Sequence, residues 1–324
     1  MIKRVMIDRQ GGPELMQLEN AEISPPGPEE AQIEQTAIGL NYMDVYQRSG
    51  HYPLELPSSL GLEAAGRVVA VGESVSSEVS IGDRVVYGGV LGAYAERRNA
   101  PAARLVPIPD GISDEDAAAV MLKGMTVEYL LERTYKVGKG DSVLFWAASG
   151  GVGQIAGQWG KRLGARMIGV TAGPDNLALV KELGYDEALD RNSEDIADRV
   201  RDLTEGSGVP VVYDSVGKAS FEASINSLAT FGMFVSFGAT TGPAPDISPH
   251  LLQVKGSLYF TRPTLANYVA SRDDLLRSAN RVFQMMEAGA IKVNIGQRFR
   301  LAEVAAAHAS LEAGRTTGST ILIP

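Results

Sequence analysis

The sequence predicts an α/β protein of two domains, a partly closed β-barrel followed by a doubly wound parallel sheet. Three observations predict it. The chain has 324 residues, more than one hydrophobic core usually organises. Its first hundred or so residues read as short β-branched runs bounded by glycine and proline turns. From Asp141 onward, strand, glycine turn and helix alternate, the pattern of a parallel sheet covered on both faces.

In chain order, apolar alternation starts at Val5 to Ile7, directly after Met1-Ile-Lys-Arg. Gly11-Gly-Pro13 and Ser24-Pro-Pro-Gly-Pro28 are turns, and residues 66–72 and 82–87 are strands. Ser113 and Asp116 have capping-box spacing and open a helix toward Met121, with a second helical run from Gly124 to Tyr135. Residues 143–147 form a wholly apolar strand. The next helix carries Val152, Ile155, Ala156, Trp159 and Leu163 on one face, with Gln154, Gln158, Lys161 and Arg162 opposite. Further strands are expected at 167–171, 188–190, 209–214, 233–237 and 257–260. The tail reads as helix 273–287, strand 295–299, helix 301–312 and strand 319–323, and it is expected to rejoin the first domain, whose sheet lacks closing elements. The expected boundaries are 1–122 with 265–324 for the barrel domain and 123–264 for the sheet domain.

Composition narrows the function. Hydrophobic residues make up 44% and charged residues 21%, an ordinary globular mixture. The net charge of −9, without a basic run, argues against nucleic acid or anionic membrane as a partner. A phosphate-bearing ligand must then be held by local groups. No apolar stretch approaches the ~18 residues of a membrane span, and no secretory apolar core follows Met1, so the expected address is the cytoplasm. The absence of cysteine excludes disulfides, thiol nucleophiles and thiolate metal sites.

The sharpest motif is Ala147-Ala-Ser-Gly150-Gly151-Val152-Gly153-Gln-Ile-Ala156. Gly151-x-Gly153-x-x-Ala156 follows a strand and opens a helix, as a dinucleotide loop requires. Glycines let a pyrophosphate reach the backbone, and the helix N-terminus offers it free N–H groups. Other ligand contacts are expected at the carboxyl ends of the later strands. For the dinucleotide, an acid is normally expected ~20 residues beyond the loop to bind ribose hydroxyls. Here the strand ends Gly169-Val-Thr171-Ala-Gly173 without one. That favours NADPH, with Arg191 facing the 2′-phosphate; NADH remains open, since Asp175 lies nearby and Arg191 also reads as a solvated surface residue.

With that loop placed, the chain resembles, nearly end to end, the bacterial quinone oxidoreductases of the ζ-crystallin-like branch of medium-chain dehydrogenases/reductases. The resemblance rests on Gly11-Gly-Pro-Glu14, residues 38–50, Gly61-Leu-Glu-Ala-Ala-Gly66 and Gly82–Tyr87. It continues through Leu122-Lys-Gly-Met-Thr126, residues 147–153, Val211–Gly217, Val235-Ser-Phe-Gly238 and residues 256–263. It implies a GroES-like barrel domain plus a Rossmann domain. In zinc-dependent relatives a cysteine and a histidine bind the catalytic metal; the matching positions here are Asn41 and Leu62, so a metal-free site is expected. Reducing a quinone gives a weakly basic hydroquinone anion, which needs little Lewis-acid help; a conjugated enone or alkenal is the rival acceptor.

The resemblance also implies Asn41, Tyr46 and Tyr52 as catalytic, with Asn41 positioning cofactor and substrate and the tyrosines donating to the acceptor oxygen. The other reading has the tyrosines packing the wall while water supplies protons. Lys123 and Thr126 are expected on the nicotinamide side. Gly150, Gly151, Val152, Gly153, Thr171, Asn176 and Arg191 are expected along pyrophosphate and ribose, and Ser215, Phe237, Gly238, Phe260 and Arg262 at the remaining strand ends. Asn176 stands where relatives often have a lysine, and Arg191 where they often have a tyrosine. Glu63 is read as a support by hydrogen bonding or charge pairing. His308 is expected to pack inside a helix face, His250 to lie at the surface, and His51 to be a solvated turn residue beside Tyr52. A homodimer through the edge near residues 257–260 is implied, and a non-catalytic, crystallin-like NADPH-binding role is the alternative outside enzymes.

Overall fold

The computed structural model describes residues 1–75 and 79–324. They form two compact units, Met1–Met125 with Val269–Glu287 and Val293–Pro324, and Thr126–Tyr268 with Ala288–Lys292. The first unit opens with β1 (Ile2–Ile7), β2 (Gln17–Ala21), β3 (Glu30–Leu40), α1 (Tyr42–Ser49), β4 (Ser58–Ser59) and β5 (Glu63–Val71). It continues with β6 (Arg84–Gly88), β7 (Arg97–Pro101), β8 (Val106–Pro107) and α2 (Asp114–Glu128), whose last residues begin the second unit. There follow β9 (Ser142–Trp146), α3 (Gly151–Leu163), β10 (Arg166–Thr171), α4 (Asp175–Glu182), β11 (Glu187–Asp190), α5 (Ile196–Leu203) and β12 (Val209–Asp214). Next come α6 (Phe221–Ser227), β13 (Leu228–Ser236), α7 (Pro249–Val254), β14 (Tyr259–Thr261) and α8 (Leu265–Tyr268). The tail supplies α9 (Arg272–Glu287), β15 (Ile295–Arg300), α10 (Val304–Glu312) and β16 (Ser319–Ile323).

In the first unit the main sheet runs β15-β16-β3-β5-β6-β8, with β7 also on β3, and a smaller sheet runs β2-β1-β4. The tail does return here: β16 lies antiparallel to β3, pairing Thr320 with Leu40 and Leu322 with Ile38. β3 buries Ala31–Ile33 and Ala37–Leu40 in runs and alternates only between them, where Glu34 and Thr36 are exposed. Val5, Ile33, Leu60, Tyr87, Tyr94 and Leu322 belong to one core.

The second unit is a sheet of order β11-β10-β9-β12-β13-β14, every pair parallel. That is the doubly wound order, in which successive crossovers leave β9 in opposite directions, so the switch point lies at its carboxyl end. Leu144, Ile168, Val212 and Phe234 bury their side chains in one core with Ile196, Val200 and Phe221 from the covering helices.

Three local expectations are corrected. The helix starting at Asp114 does not break at Gly124. It runs to Glu128 and passes into a π-helical turn, Tyr129–Thr134. Gly124 is there for close packing, since a Cβ would come 2.8 Å from Val282. The strand expected at 143–147 ends at Trp146, because Ala147 turns into the left-handed region at φ 56°. The strand expected at 257–260 forms at Tyr259–Thr261, after a turn in which Gly256 and Ser257 have φ of 116° and 55°.

Candidate active site

β9 delivers the chain to Ala147, and Gly150 caps α3 from an extended conformation. The N–H groups of Gly151, Val152 and Gly153 precede the first intrahelical bond, from Gln154 N–H to the Gly150 carbonyl at 2.8 Å. Gly153 is required by packing: a Cβ would lie 2.3 Å from the Ala147 carbonyl oxygen and 2.6 Å from the Ala148 Cα. The loop is also pinned by side chains. Gln154 Nε2 donates to the Ser149 carbonyl (2.8 Å), and Tyr185 donates to the Gly153 carbonyl (2.7 Å). Burial holds the Tyr185 hydroxyl well above its ordinary pKa, so it stays a neutral donor.

The Ser149 hydroxyl reaches Thr171 Oγ1 at 2.8 Å, tying the loop to the end of β10. Asn176, in the first turn of α4, donates to the Ala172 carbonyl at 2.9 Å. An acid stands beside this edge after all, on the neighbouring strand. Asp190 closes β11, and its carboxylate accepts from the N–H groups of Asn192 (3.0 Å) and Gly173 (2.9 Å), which hold it below the usual carboxylate range. It shapes the loop backbone from below. Arg191 follows it. Its N–H bonds the Thr171 carbonyl at 3.1 Å, while its side chain is exposed and makes no hydrogen bond or ion pair among the described residues.

At the remaining strand ends, Asp214 is fully buried and accepts from the N–H groups of Val216 and Gly217 and the hydroxyls of Ser220 and Ser224, at 2.6–3.0 Å. It thereby sets the turn that carries Ser215. Arg262 donates to the Gly238 carbonyl (2.7 Å) and to Ser236 Oγ (3.0 Å), clamping the turn after β13. The Phe237 ring packs on Phe145, and Phe260 packs on Phe234, with centroids 5.6 and 5.4 Å apart.

The first unit holds a separate polar cluster. Asn41 ends β3's run and caps α1; it is buried, and its carboxamide nitrogen donates to Glu63 Oε2 at 2.8 Å. Glu63, fully buried on β5, also accepts from Lys123 Nζ (3.3 Å) and the Leu122 N–H (2.5 Å) at the middle of α2. A carboxylate only accepts, so the Asn41 amide nitrogen must face it and the carboxamide oxygen must point away. Thr126 lies one turn beyond Lys123 on α2. Along α1, the Tyr46 ring lies 5.1 Å from Tyr42, 4.9 Å from His51 and 5.6 Å from Tyr52, and the Tyr52 N–H bonds the Tyr46 carbonyl at 3.1 Å. The exposed His51 thus packs, tilted against Tyr46 and edge-on to Tyr52, within a tyrosine group, and His250 is exposed in the first turn of α7. His308, as expected, is a packed helix residue. The structure therefore brings Asn41 together with Lys123, and Tyr46 with Tyr52.

Two family descriptions match the chain: alcohol dehydrogenase GroES-like domain over residues 27–110, and zinc-binding dehydrogenase over residues 151–273. A quinone oxidoreductase of Pseudomonas aeruginosa is 47% identical over the full length of both chains. The crystal structure of an Escherichia coli quinone oxidoreductase complexed with NADPH superposes with a TM-score of 0.97 at 41% identity, over 99% of this chain and 100% of that one. The chain belongs to the quinone oxidoreductase family of medium-chain dehydrogenases/reductases. A 2-haloacrylate reductase of Burkholderia is 37% identical over 100% of this chain and 99% of its own.

As a quinone oxidoreductase family member, the chain departs from the zinc in the second description: Leu62 is an apolar, buried residue, and Asn41 is occupied with Glu63. Sequence reasoning missed Asp44, Tyr94 and Asp190. Asp44 had a legible signal, since Asn41-x-x-Asp44 has the spacing of a helix cap and its third residue. Tyr94 had none, for its partners lie far away in sequence.

Proposed function

We propose that this chain reduces a quinone with NADPH by direct hydride transfer, without a metal. The observation that carries the reading is the Asn41–Glu63–Lys123 cluster, in which Asn41, at a position where zinc-dependent relatives have a ligand, is instead bonded to a carboxylate paired with an ammonium. The glycine loop suits a dinucleotide: Gly153 leaves no room for a side chain, and the first-turn N–H groups of α3 suit a pyrophosphate. Bound NADPH supplies the hydride. Gly150 to Gly153 hold the pyrophosphate, with Thr171, Asn176 and Arg191 along the adenosine ribose and its 2′-phosphate. Ser215, Phe237, Gly238, Phe260 and Arg262 line the path toward the nicotinamide, which Lys123 and Thr126 contact. Asn41 offers its carboxamide oxygen to orient cofactor and substrate. Tyr46 and Tyr52 donate to the developing oxyanion, and a proton completes the hydroquinone.

Residues 1–122 with 265–324 then act as the catalytic domain and 123–264 as the cofactor domain. We take the protein to be a cytoplasmic homodimer without affinity for nucleic acid; no helix among the described residues is long and apolar enough to cross a membrane. NADH use and a crystallin-like binding role are the variants of this reading. Reduction of a carbon–carbon double bond is a second reading, supported by the 2-haloacrylate reductase relative. Following NADPH and NADH oxidation against a panel of quinones and enones tests all of these. Quinone-dependent NADPH loss is expected. Turnover of enones alone would transfer the assignment to the second reading, and nucleotide binding without turnover of any acceptor would favour a binding role.

A further inference from the structure

Asp44 has no part in the reaction just described, yet it lies at the centre of a buried polar chain in the first unit. It is fully buried, on the first turn of α1. Its Oδ2 accepts from the Asn41 N–H at 2.9 Å and from the Tyr94 hydroxyl at 2.8 Å. The Tyr94 oxygen lies 2.9 Å from His308 Nε2 on α10, and both rings are completely buried, edge to face. Because Tyr94 donates to Asp44, its oxygen accepts from His308, which fixes that imidazole as the neutral Nε2–H tautomer.

Lys123 favours the Asp44 carboxylate and Glu63 opposes it. Arg48, one turn along α1 and 1% exposed, acts on Tyr94 and His308, and it is paired with Glu312 of α10 at 2.6 Å. Burial raises Asp44 to about 7 and lowers His308 to about 3. Removing these groups from water is costly, and apolar residues would fill the same volume more cheaply. What the chain achieves is geometry. Asn41 is gripped by two buried carboxylates, Asp44 of α1 on its main-chain N–H and Glu63 of β5 on its side-chain amide.

We propose that Asp44 is a positioning residue for the hydride-transfer reaction proposed above, fixing Asn41 and the start of α1 through the Tyr94–His308 relay of hydrogen bonds. It touches neither cofactor nor acceptor. Its contribution is to hold the Asn41 carboxamide at one angle and to seat the turn that leads to Tyr46. The inference rests on that reading of the reaction.

Three variants test it. Asp44→Ala removes both bonds; Asp44→Asn keeps a carbonyl oxygen able to accept both; Tyr94→Phe removes only one hydroxyl. Each is read by kcat and KM for the quinone and by fluorescence titration with NADPH. The expected result is kcat lower by about tenfold or more in Asp44→Ala and severalfold in Tyr94→Phe, with NADPH affinity little changed, and kcat largely restored in Asp44→Asn. Folded Asp44→Ala and Tyr94→Phe proteins with wild-type kcat would overturn the role, as would an Asp44→Asn protein as slow as Asp44→Ala. Should Asp44→Ala fail to fold, Tyr94→Phe alone decides, because deleting one hydroxyl leaves the ring packing in place. A wild-type protein that turns over neither quinone nor enone refutes the reaction itself, and this role with it; wild-type turnover retained by both variants refutes the role alone.

Discussion

Three donors converge on the Glu63 carboxylate: the Asn41 amide, the Lys123 ammonium and the Leu122 N–H. No carboxamide can satisfy them, because its NH2 must face at least one donor, and Lys123 would be left as a buried, uncompensated charge. Glu63→Gln is therefore expected to destabilise the first unit by ~3–5 kcal/mol, read by urea unfolding. Arg191 makes the opposite prediction. Its side chain is exposed and makes no hydrogen bond or ion pair among the described residues, acting on Asp190 only through its charge, so Arg191→Ala should leave stability nearly unchanged. NADPH binding should weaken by about tenfold and NADH binding stay level, as calorimetry with each nucleotide would show. Equal losses for both nucleotides would remove Arg191 from the 2′-phosphate. Glu63 was legible from the sequence as a support because it follows a position where relatives bind zinc. Asp44–Tyr94–His308 was not, because contacts spanning fifty and more than two hundred residues leave no local pattern.

At the scale of elements, α1 and α10 share two titrating groups with opposed effects. Asp44 is raised to about 7 from an unfolded value near ~3.9, so between these the native state holds more protons and stability falls as pH rises. His308 is lowered to about 3 from ~6.5, so there the unfolded state holds more protons and stability rises with pH. The two slopes, each at most ~1.4 kcal/mol per pH unit, cancel between pH ~4 and ~6.5. Single variants should separate them. Against wild type, His308→Gln loses stability as pH rises across that window, and Asp44→Asn gains it; chemical denaturation at several pH values measures both. Parallel profiles for the two variants would contradict the assignment. The elements themselves were well marked in the sequence where apolar runs met glycine turns, as at β9 and α3. They were misread at Gly124, where glycine serves packing against Val282 inside a helix, and at Ser257, whose left-handed backbone delays β14. Both depend on contacts or conformations that residue type alone does not reveal.

For the whole molecule, the outer strand β14 leaves Tyr259 at 59% exposure, with Phe231 at 68% and Val254 at 60% among the exposed apolar residues of the same unit. Uncovered edges of this kind pair with another chain or aggregate. The proposed homodimer would cover this one, so light scattering should report a dimer for the wild type and a monomer for Tyr259→Glu. A wild-type monomer would contradict the dimer without touching the chemistry. In the proposed reaction the Gly150–Gly153 turn holds NADPH, and hydride leaves it for a quinone with no metal taking part. The most direct test is a single-turnover reaction of chelator-treated protein with quinone and NADPH deuterated at the transferred position, following loss of the reduced nicotinamide. Oxidation undiminished by chelation is expected, slowed by the isotope, with one hydroquinone formed per NADPH. Oxidation that stops on chelation and returns only with added zinc would contradict it.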